Sequence, residues 1–369
     1  MTEQVQEPLW SPSERQKAVI EKLRELSELD GVSGAEGPVR EWIRAQIEAR
    51  PPKGSFTIES DPLGNLLVRV GEEKPGPRIM VAAHMDEVGL MITAVEDDGL
   101  LRFRPVGGID PRILPAQVFR IGEKRVPGVV GGKPIHLQKP EEQKKAYRLE
   151  ELYIDIGAKS RAEAEAVVQV GDFAAFDAPF QVMGEGLVMG KALDDRAGCL
   201  MLLELLQEEW PAPFLAAFTV QEEVGLRGAQ VAAYRLEPDA ALVLEATSCA
   251  DLPGVRPAGQ VTRLGAGPAI TFRDRTSISD ALLVRLLIRE AETAGLPWQW
   301  KQGTAGGNDA GAIQTQRGGV RVSSLSLPCR YLHQPGSILS LNDFEHGLEL
   351  ARRGLHAWAR ELPNGGDGR

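Results

Sequence analysis

Apolar positions along the chain change period several times, and each change marks an element. Val19, Ile20, Leu23 and Leu26 recur at helical spacing, which predicts a helix capped by Ser11 or Ser13 and ending near Leu29. Gly31 to Gly37 breaks the pattern. Pro38 then opens a second amphipathic helix with Val39, Trp42, Ile43 and Ile47 on one face. Phe56–Ile58 and Leu66–Val70 read as strands on either side of the turn cluster Asp61–Asn65. Ile79-Met80-Val81-Ala82-Ala83 follows as an unbroken apolar run, the pattern of a parallel strand covered on both faces, and it ends abruptly in His84-Met85-Asp86.

The pattern shifts again after Gly89. From Leu90 to Gly186 the apolar segments are short and punctuated by glycine and proline, as in Leu100–Val106, Val118–Ile121 and Phe173–Phe176. That spacing predicts an inserted β-rich unit, with the charged stretch Lys139–Glu151 as an exposed loop or helix start. Helices and strands alternate once more beyond Gly186. Asp195 begins a helix bearing Leu200, Leu203 and Leu206. Phe214–Val220, Ala241–Leu244 and Val320–Leu327 are strands. Ser279 or Asp280 caps a helix ending near Ala294, and Asn342 caps the closing helix with Glu345 in a capping box. The alternation predicts an α/β fold, a mostly parallel sheet with helices on both faces. The implied organisation is an outer domain in two parts, 1–86 and 187–369, with the insertion at 87–186. The Gly365–Gly368 tail is expected to fray.

Composition narrows the function classes. The 369 residues are 43% hydrophobic and 25% charged, an ordinary globular balance. The net charge of -10 argues against a nucleic-acid partner. Cys199, Cys249 and Cys329 are far apart and form no CxxC pair, so neither a disulfide framework nor a thiolate zinc site is expected, and a reducing cytoplasm fits. Met1–Glu7 is polar and acidic, unlike a signal peptide, and no apolar run approaches the ~20 residues of a membrane span.

Candidate chemistry lies where strands end. His84 and Asp86 follow the first apolar strand, and Asp194-Asp195 follow Gly190–Leu193. Glu222-Glu223 follow Phe218–Gln221, Glu245 follows Val243-Leu244, and His333 follows Pro328–Leu332. In a parallel sheet those ends share one edge, where ligands of α/β folds bind. Converging carboxylates repel one another and call for protons or cations. Two imidazoles among them favour zinc, with cobalt or manganese also admitted, over magnesium or calcium. The set is large enough for two metal ions sharing one carboxylate, an arrangement that activates water for hydrolysis. Taken singly, each residue has a plainer reading. Asp194 and Asp195 suit helix caps, Glu222-Glu223 a solvated pair, and Glu245 a hydrogen-bonded buried carboxylate. His136, His346 and His356 read as structural.

Four motifs together resemble a known family. They are Ala83-His84-Met85-Asp86-Glu87-Val88-Gly89, Ala192-Leu193-Asp194-Asp195-Arg196, Gln221-Glu222-Glu223-Val224-Gly225-Leu226-Arg227-Gly228-Ala229 and Arg330-Tyr331-Leu332-His333-Gln334-Pro335. They are similar to those of the tetrahedral (TET) dinuclear metallo-aminopeptidases, metallopeptidase family forty-two, also called glutamyl aminopeptidases or cellulases. Gly306–Ala312 is similar to a family loop in which Thr more often stands at Asn308.

The resemblance implies a three-layer α/β/α peptidase domain interrupted by a β-rich dimerisation domain. It implies a metal set of His84, Asp194 (bridging), Glu223, Glu245 and His333, with Asp86 orienting His84 and Glu222 as general base. It further implies two divalent ions, short peptide substrates, and a homo-oligomer of dimers, commonly a dodecamer. Many relatives carry Asp at the position of Glu245. In the wider clan Asp there tends to accompany aminopeptidases and Glu carboxypeptidases, although Glu also occurs within this family. A dinuclear carboxypeptidase or amide deacylase is therefore the nearest alternative. A glycan hydrolase using Glu222 or Glu223 is disfavoured by an aromatic content of 5%, and a non-catalytic assembly protein by the complete candidate ligand set.

Overall fold

A computed structural model of the chain describes residues 10–304 and 306–363. The Gly365–Gly368 tail and Met1–Glu7 lie outside the described residues. Among the described residues, eleven strands form one mixed sheet and a further six close into a small barrel. The sheet runs, edge to edge, through Phe56–Ser60, Leu66–Val70, Phe214–Thr219, Ile79–His84, Ala240–Ser248, Arg321–Arg330, Ser337–Ser340, Leu187–Gly190 and Gln181–Met183. Ala269–Thr271 and Gln299–Trp300 branch from it at Arg321–Arg330.

Ile79–His84 explains the layering. Ile79, Val81 and Ala83 pack into the larger core, beneath the helices Glu14–Glu28, Gly37–Ala49, Leu193–Leu205, Ala281–Ala294 and Leu341–Glu361. Met80 and Ala82 pack into the opposite core, with Ala229, Ala232 and Ala233 of Arg227–Leu236 and Ala310 and Ile313 of Asp309–Gln314. Both faces are covered, so the strand carries no polar alternation.

Phe214–Thr219, Ile79–His84, Ala240–Ser248 and Arg321–Arg330 are mutually parallel. Leu187–Gly190 runs the same way, because it is antiparallel to Ser337–Ser340, which is itself antiparallel to Arg321–Arg330. The carboxyl ends of all these strands therefore lie along one edge.

The barrel strands fall between Gly89 and Phe176, around a separate core that includes Leu90, Phe103, Phe119, Ile121 and Ile154. The chain rejoins the large sheet at Gln181–Met183, slightly before the expected return at 187. Arg120 of the barrel reaches Asp30 at 2.6 Å and the Glu28 carbonyl at 3.2 Å. At the crossing into the barrel, Glu87 is buried with two cations. Lys191 Nζ lies 2.6 Å and Arg196 Nη2 3.4 Å from Glu87 Oε1.

Three local expectations shift. Ser340, not Asn342, caps the closing helix, its hydroxyl accepting the Asp343 N–H at 3.3 Å. Asp343 takes the third helical position in place of Glu345, and its carboxylate accepts the N–H groups of Gly265 and Gly267. The strand expected to stop at Leu244 continues to Ser248, because Ala246, Thr247 and Ser248 keep pairing with Leu327, Pro328 and Cys329. Glu245 is thus an inward residue of a continuing strand. Lys139–Glu151 is a run of turns ending in a short 3-10 segment, Leu149–Glu151.

Glu87→Ala would take from two buried cations their nearest carboxylate. The expected loss of stability is about 3–5 kcal/mol, read as a lower urea midpoint. Unfolding at the wild-type midpoint would mean that backbone carbonyls, with Asp30 at 3.8 Å from Lys191 Nζ, suffice for the two cations.

Candidate metal centre

Each strand end delivers its polar group to the same edge. His84 continues the Met80–Ala82 face of its strand and is 2% exposed. Its Nε2 lies 3.3 Å from Asp194 Oδ1 and 3.4 Å from Glu245 Oε1. Its Nδ1 lies 3.0 Å from the Asp86 main-chain oxygen and 3.5 Å from the Asp86 carboxylate. His333 Nε2 lies 3.2 Å from Glu223 Oε1 and 3.5 Å from Asp194 Oδ2. Asp194 therefore turns one oxygen to each imidazole, and each imidazole also faces a second carboxylate.

Asp194 and Asp195 divide the roles that sequence left open between them. Their peptide bond is cis, and both have non-helical backbone angles at the start of Leu193–Leu205. Asp195 Oδ1 accepts the Gly198 N–H at 3.0 Å, the bond of a helix cap, and Oδ2 accepts the His84 N–H at 3.3 Å. Both Asp195 oxygens are thus engaged with backbone. Asp194 is left free of capping and faces the two histidines.

The charges are interdependent. Burial alone would lower the His84 imidazole, but hydrogen bonds to Asp194, Asp86 and Glu245 raise it well above its ordinary value. His333 behaves alike. Against the opposing effect of burial, Asp194 and Glu223 push it from 6.5 to about 11. Asp194 is held below the usual carboxylate range, the two histidines outweighing burial. Glu245 and Glu222 are raised well above that range, chiefly by burial and next by neighbouring charge. Burial also raises Glu223, against the pull of His333.

The supporting shell is mostly tertiary. The Asp86 carboxylate accepts the Ser33 hydroxyl at 2.6 Å and the N–H groups of Glu222 at 3.0 Å and Glu223 at 3.1 Å. His333 Nδ1 lies 2.8 Å from the carbonyl oxygen of Gly108, beyond the barrel strand Leu101–Val106. A side chain at Gly107 would collide with Val88 and crowd Glu223. Ser33 and the Gly107-Gly108 pair were not among the residues singled out from sequence. The glycine-rich breaks that contain them were the available signals. Asp309, which opens the helix Asp309–Gln314 just after Asn308, accepts the Thr219 hydroxyl at 2.6 Å, and burial pushes its carboxyl up to about 6. Among the three histidines read as structural, His356 stacks on Trp210 with ring centroids 4.7 Å apart.

The donor set suits divalent cations. The ligand atoms of His84, Asp194 and Glu223 lie within 4.8 Å of one another, as do those of His84, Asp195 and Glu245. Glu245 Oε2 is buried without a hydrogen-bond partner, which an ion at this edge would satisfy. Imidazole with carboxylate is a zinc-type donor set.

A family model described as M42 glutamyl aminopeptidase matches residues 64–350. The chain belongs to the M42 peptidase family. Its relatives include the glutamyl aminopeptidase of Lactococcus lactis subsp. cremoris, 33% identical over 338 residues, covering 88% of this chain and 92% of that one. Among solved structures, an aminopeptidase of the archaeon Desulfurococcus kamchatkensis is 34% identical with a TM-score of 0.88, over 95% of this chain and 98% of its own. The TET1 peptidase of Pyrococcus horikoshii, which can assemble into a tetrahedron or a large octahedral shell, is 37% identical with a TM-score of 0.81, over 90% of this chain and 98% of its own. This M42 chain is thus matched to its relatives over nearly all of its length and theirs.

The raised His333 ties protonation to folding when metal is absent. Its contribution to stability is fully present below 6.5 and lost as pH rises through about 11. Nitrogen-15 NMR of metal-free protein at about pH 8 is expected to show His333 as imidazolium, although a free histidine is neutral there. A neutral ring under those conditions would contradict the ionic contacts with Asp194 and Glu223.

Proposed function

We propose that this M42 chain is an aminopeptidase that removes N-terminal residues from short peptides at a dinuclear metal centre. The observation that carries the reading is the divided carboxylate of Asp194, one oxygen toward His84 and the other toward His333. On this reading His84, Asp194 and Glu245 hold one ion, and His333, Glu223 and Asp194 the other. Zinc is the expected metal, with cobalt or manganese as alternatives. When bound, two such ions supply an acidified water and a polarised carbonyl for peptide hydrolysis.

The chain's own residues would do the rest. Glu222, half-buried and raised in pKa beside the ligand Glu223, takes a proton from the water and returns it to the departing amine. Asp86 holds the Glu222 and Glu223 amides, while its main-chain oxygen steadies the His84 ring. The acidic edge receives the α-ammonium group of the substrate. Glu245 in place of the commoner Asp provides the same carboxylate on a longer arm. A glycosidase reading leaves the contacts of both histidines without a purpose.

We further propose that the β-rich insertion serves dimerisation and that the protein works as a homo-oligomer in the cytoplasm. The assembly of the Pyrococcus horikoshii relative supports the oligomer. Among the described residues, no helix is long and apolar enough to cross a membrane.

A panel of aminoacyl and N-blocked substrates tests the reaction. Chelated protein should be inactive and recover with zinc, cobalt or manganese. Cleavage should require a free α-amine; preference for N-blocked substrates would instead favour the carboxypeptidase or deacylase. In Glu222→Gln, turnover should fall by about 10²–10⁴-fold with both metals retained. Near-normal turnover in that variant would remove Glu222 from the base role.

A further inference from the structure

Four consecutive backbone N–H groups at the site are each held by a side chain from elsewhere. Val220 donates to Asn65 Oδ1 at 3.0 Å and Gln221 to Glu36 Oε1 at 3.1 Å. Glu222 and Glu223 donate to the two oxygens of Asp86 at 3.0 and 3.1 Å. A turn at a strand end commonly leaves such groups to water. Here none of the four is left to solvent.

Two of the three acceptors are themselves anchored. Asn65 Nδ2 donates to Asp61 at 2.7 Å and to the Gly228 carbonyl at 2.9 Å. Asp86 is fixed by the Ser33 hydroxyl at 2.6 Å. The third, Glu36, is 4% exposed and stands directly before the helix Gly37–Ala49, at the position where a short oxygen-bearing side chain ordinarily caps. It makes no capping bond to that helix. Its Oε1 instead accepts the Gly34 N–H at 2.7 Å and the Gln221 N–H, bridging the glycine-rich break to the turn that bears Glu222.

Gln221 is also the one of these four residues with left-handed backbone, at φ 55°. Such a conformation in a non-glycine residue persists where its surroundings over-determine it. Asn65 fixes the residue before it and Asp86 the two after it, so Glu36 holds the pivot between them.

We propose that Glu36 is a positioning residue that sets the direction in which Glu222 projects, by fixing the Gln221 amide. The inference rests on Glu222 acting as the base. Glu36 touches neither substrate nor metal and acts through the backbone. Its loss should therefore appear in kcat, with KM and metal content unchanged.

The test compares Glu36→Gln with Glu36→Asp in the metal-loaded protein, with Glu222→Gln assayed alongside. Gln keeps an acceptor oxygen where Glu36 Oε1 stands and removes the charge. Asp keeps the charge and draws the oxygen back by one methylene. Both substitutions are small, and circular dichroism with metal analysis confirms folding and loading. Glu36→Gln should retain most of the wild-type kcat, whereas Glu36→Asp should lose about 10-fold or more at unchanged KM. Equal kcat values for the two, the reverse order, or a loss in Glu36→Asp that tracks loss of metal would each overturn the proposal. Undiminished turnover in Glu222→Gln would overturn the base assignment and this inference with it, and would be distinguishable from a failure at Glu36 alone.

Discussion

Charge balance at one sheet edge governs the site. Asp194, Glu222, Glu223 and Glu245 are brought together by the directions of parallel strands, where Glu245 is buried and the other three are half-buried, so that water screens them poorly. His84 and His333 each stand between two of these carboxylates, so each imidazole answers two negative neighbours at once. Without metal, removing either ring would leave paired carboxylates facing each other with no cation between them, which favours protonation of one.

Two layers of support keep that balance in register. The sheet is the first: alternate residues of Ile79–His84 are packed into separate cores, which leaves His84 little freedom to slide or rotate. The second is polar and comes from distant stretches of chain. Ser33, Glu36, Asn65 and Asp86 spend their side chains on one another or on the backbone of 220–223. The barrel adds Gly108 to this layer, through its carbonyl contact with His333.

Much of the layout was legible in sequence, and the reasons are local. Ile79–Ala83 reads as a doubly covered strand because nothing polar interrupts it. The strand-end residues His84, Asp194, Glu222-Glu223 and His333 stand out because charge follows directly on an apolar run. Glu245 was recognised as a candidate but misplaced as a terminus, since a buried Glu inside a strand looks like an ending until Ala246–Ser248 are seen to keep pairing. Asn342 suits a cap by residue type, but Ser340, two positions earlier, suits it equally, and its hydroxyl takes the Asp343 N–H. Closure of the barrel was not legible, because pairs such as Leu90 with Ala174 join strands far apart in sequence. Glu36, Asn65 and Gly108 escaped notice for a related reason. Their partners are main-chain groups or a remote ring, and no short motif encodes such a contact.

The contact between His333 and Gly108 spans 225 residues. During synthesis His84, Asp194 and Glu245 all leave the ribosome well before His333 does. A nascent chain that has emerged only as far as Glu245 carries all four acids but only one of the two histidines, and its Gly108 carbonyl still lacks the His333 ring. The order of translation therefore supplies the carboxylate partners of His84 before His333 itself is made. The loop between Gly108 and His333 must close over most of the chain before their contact exists.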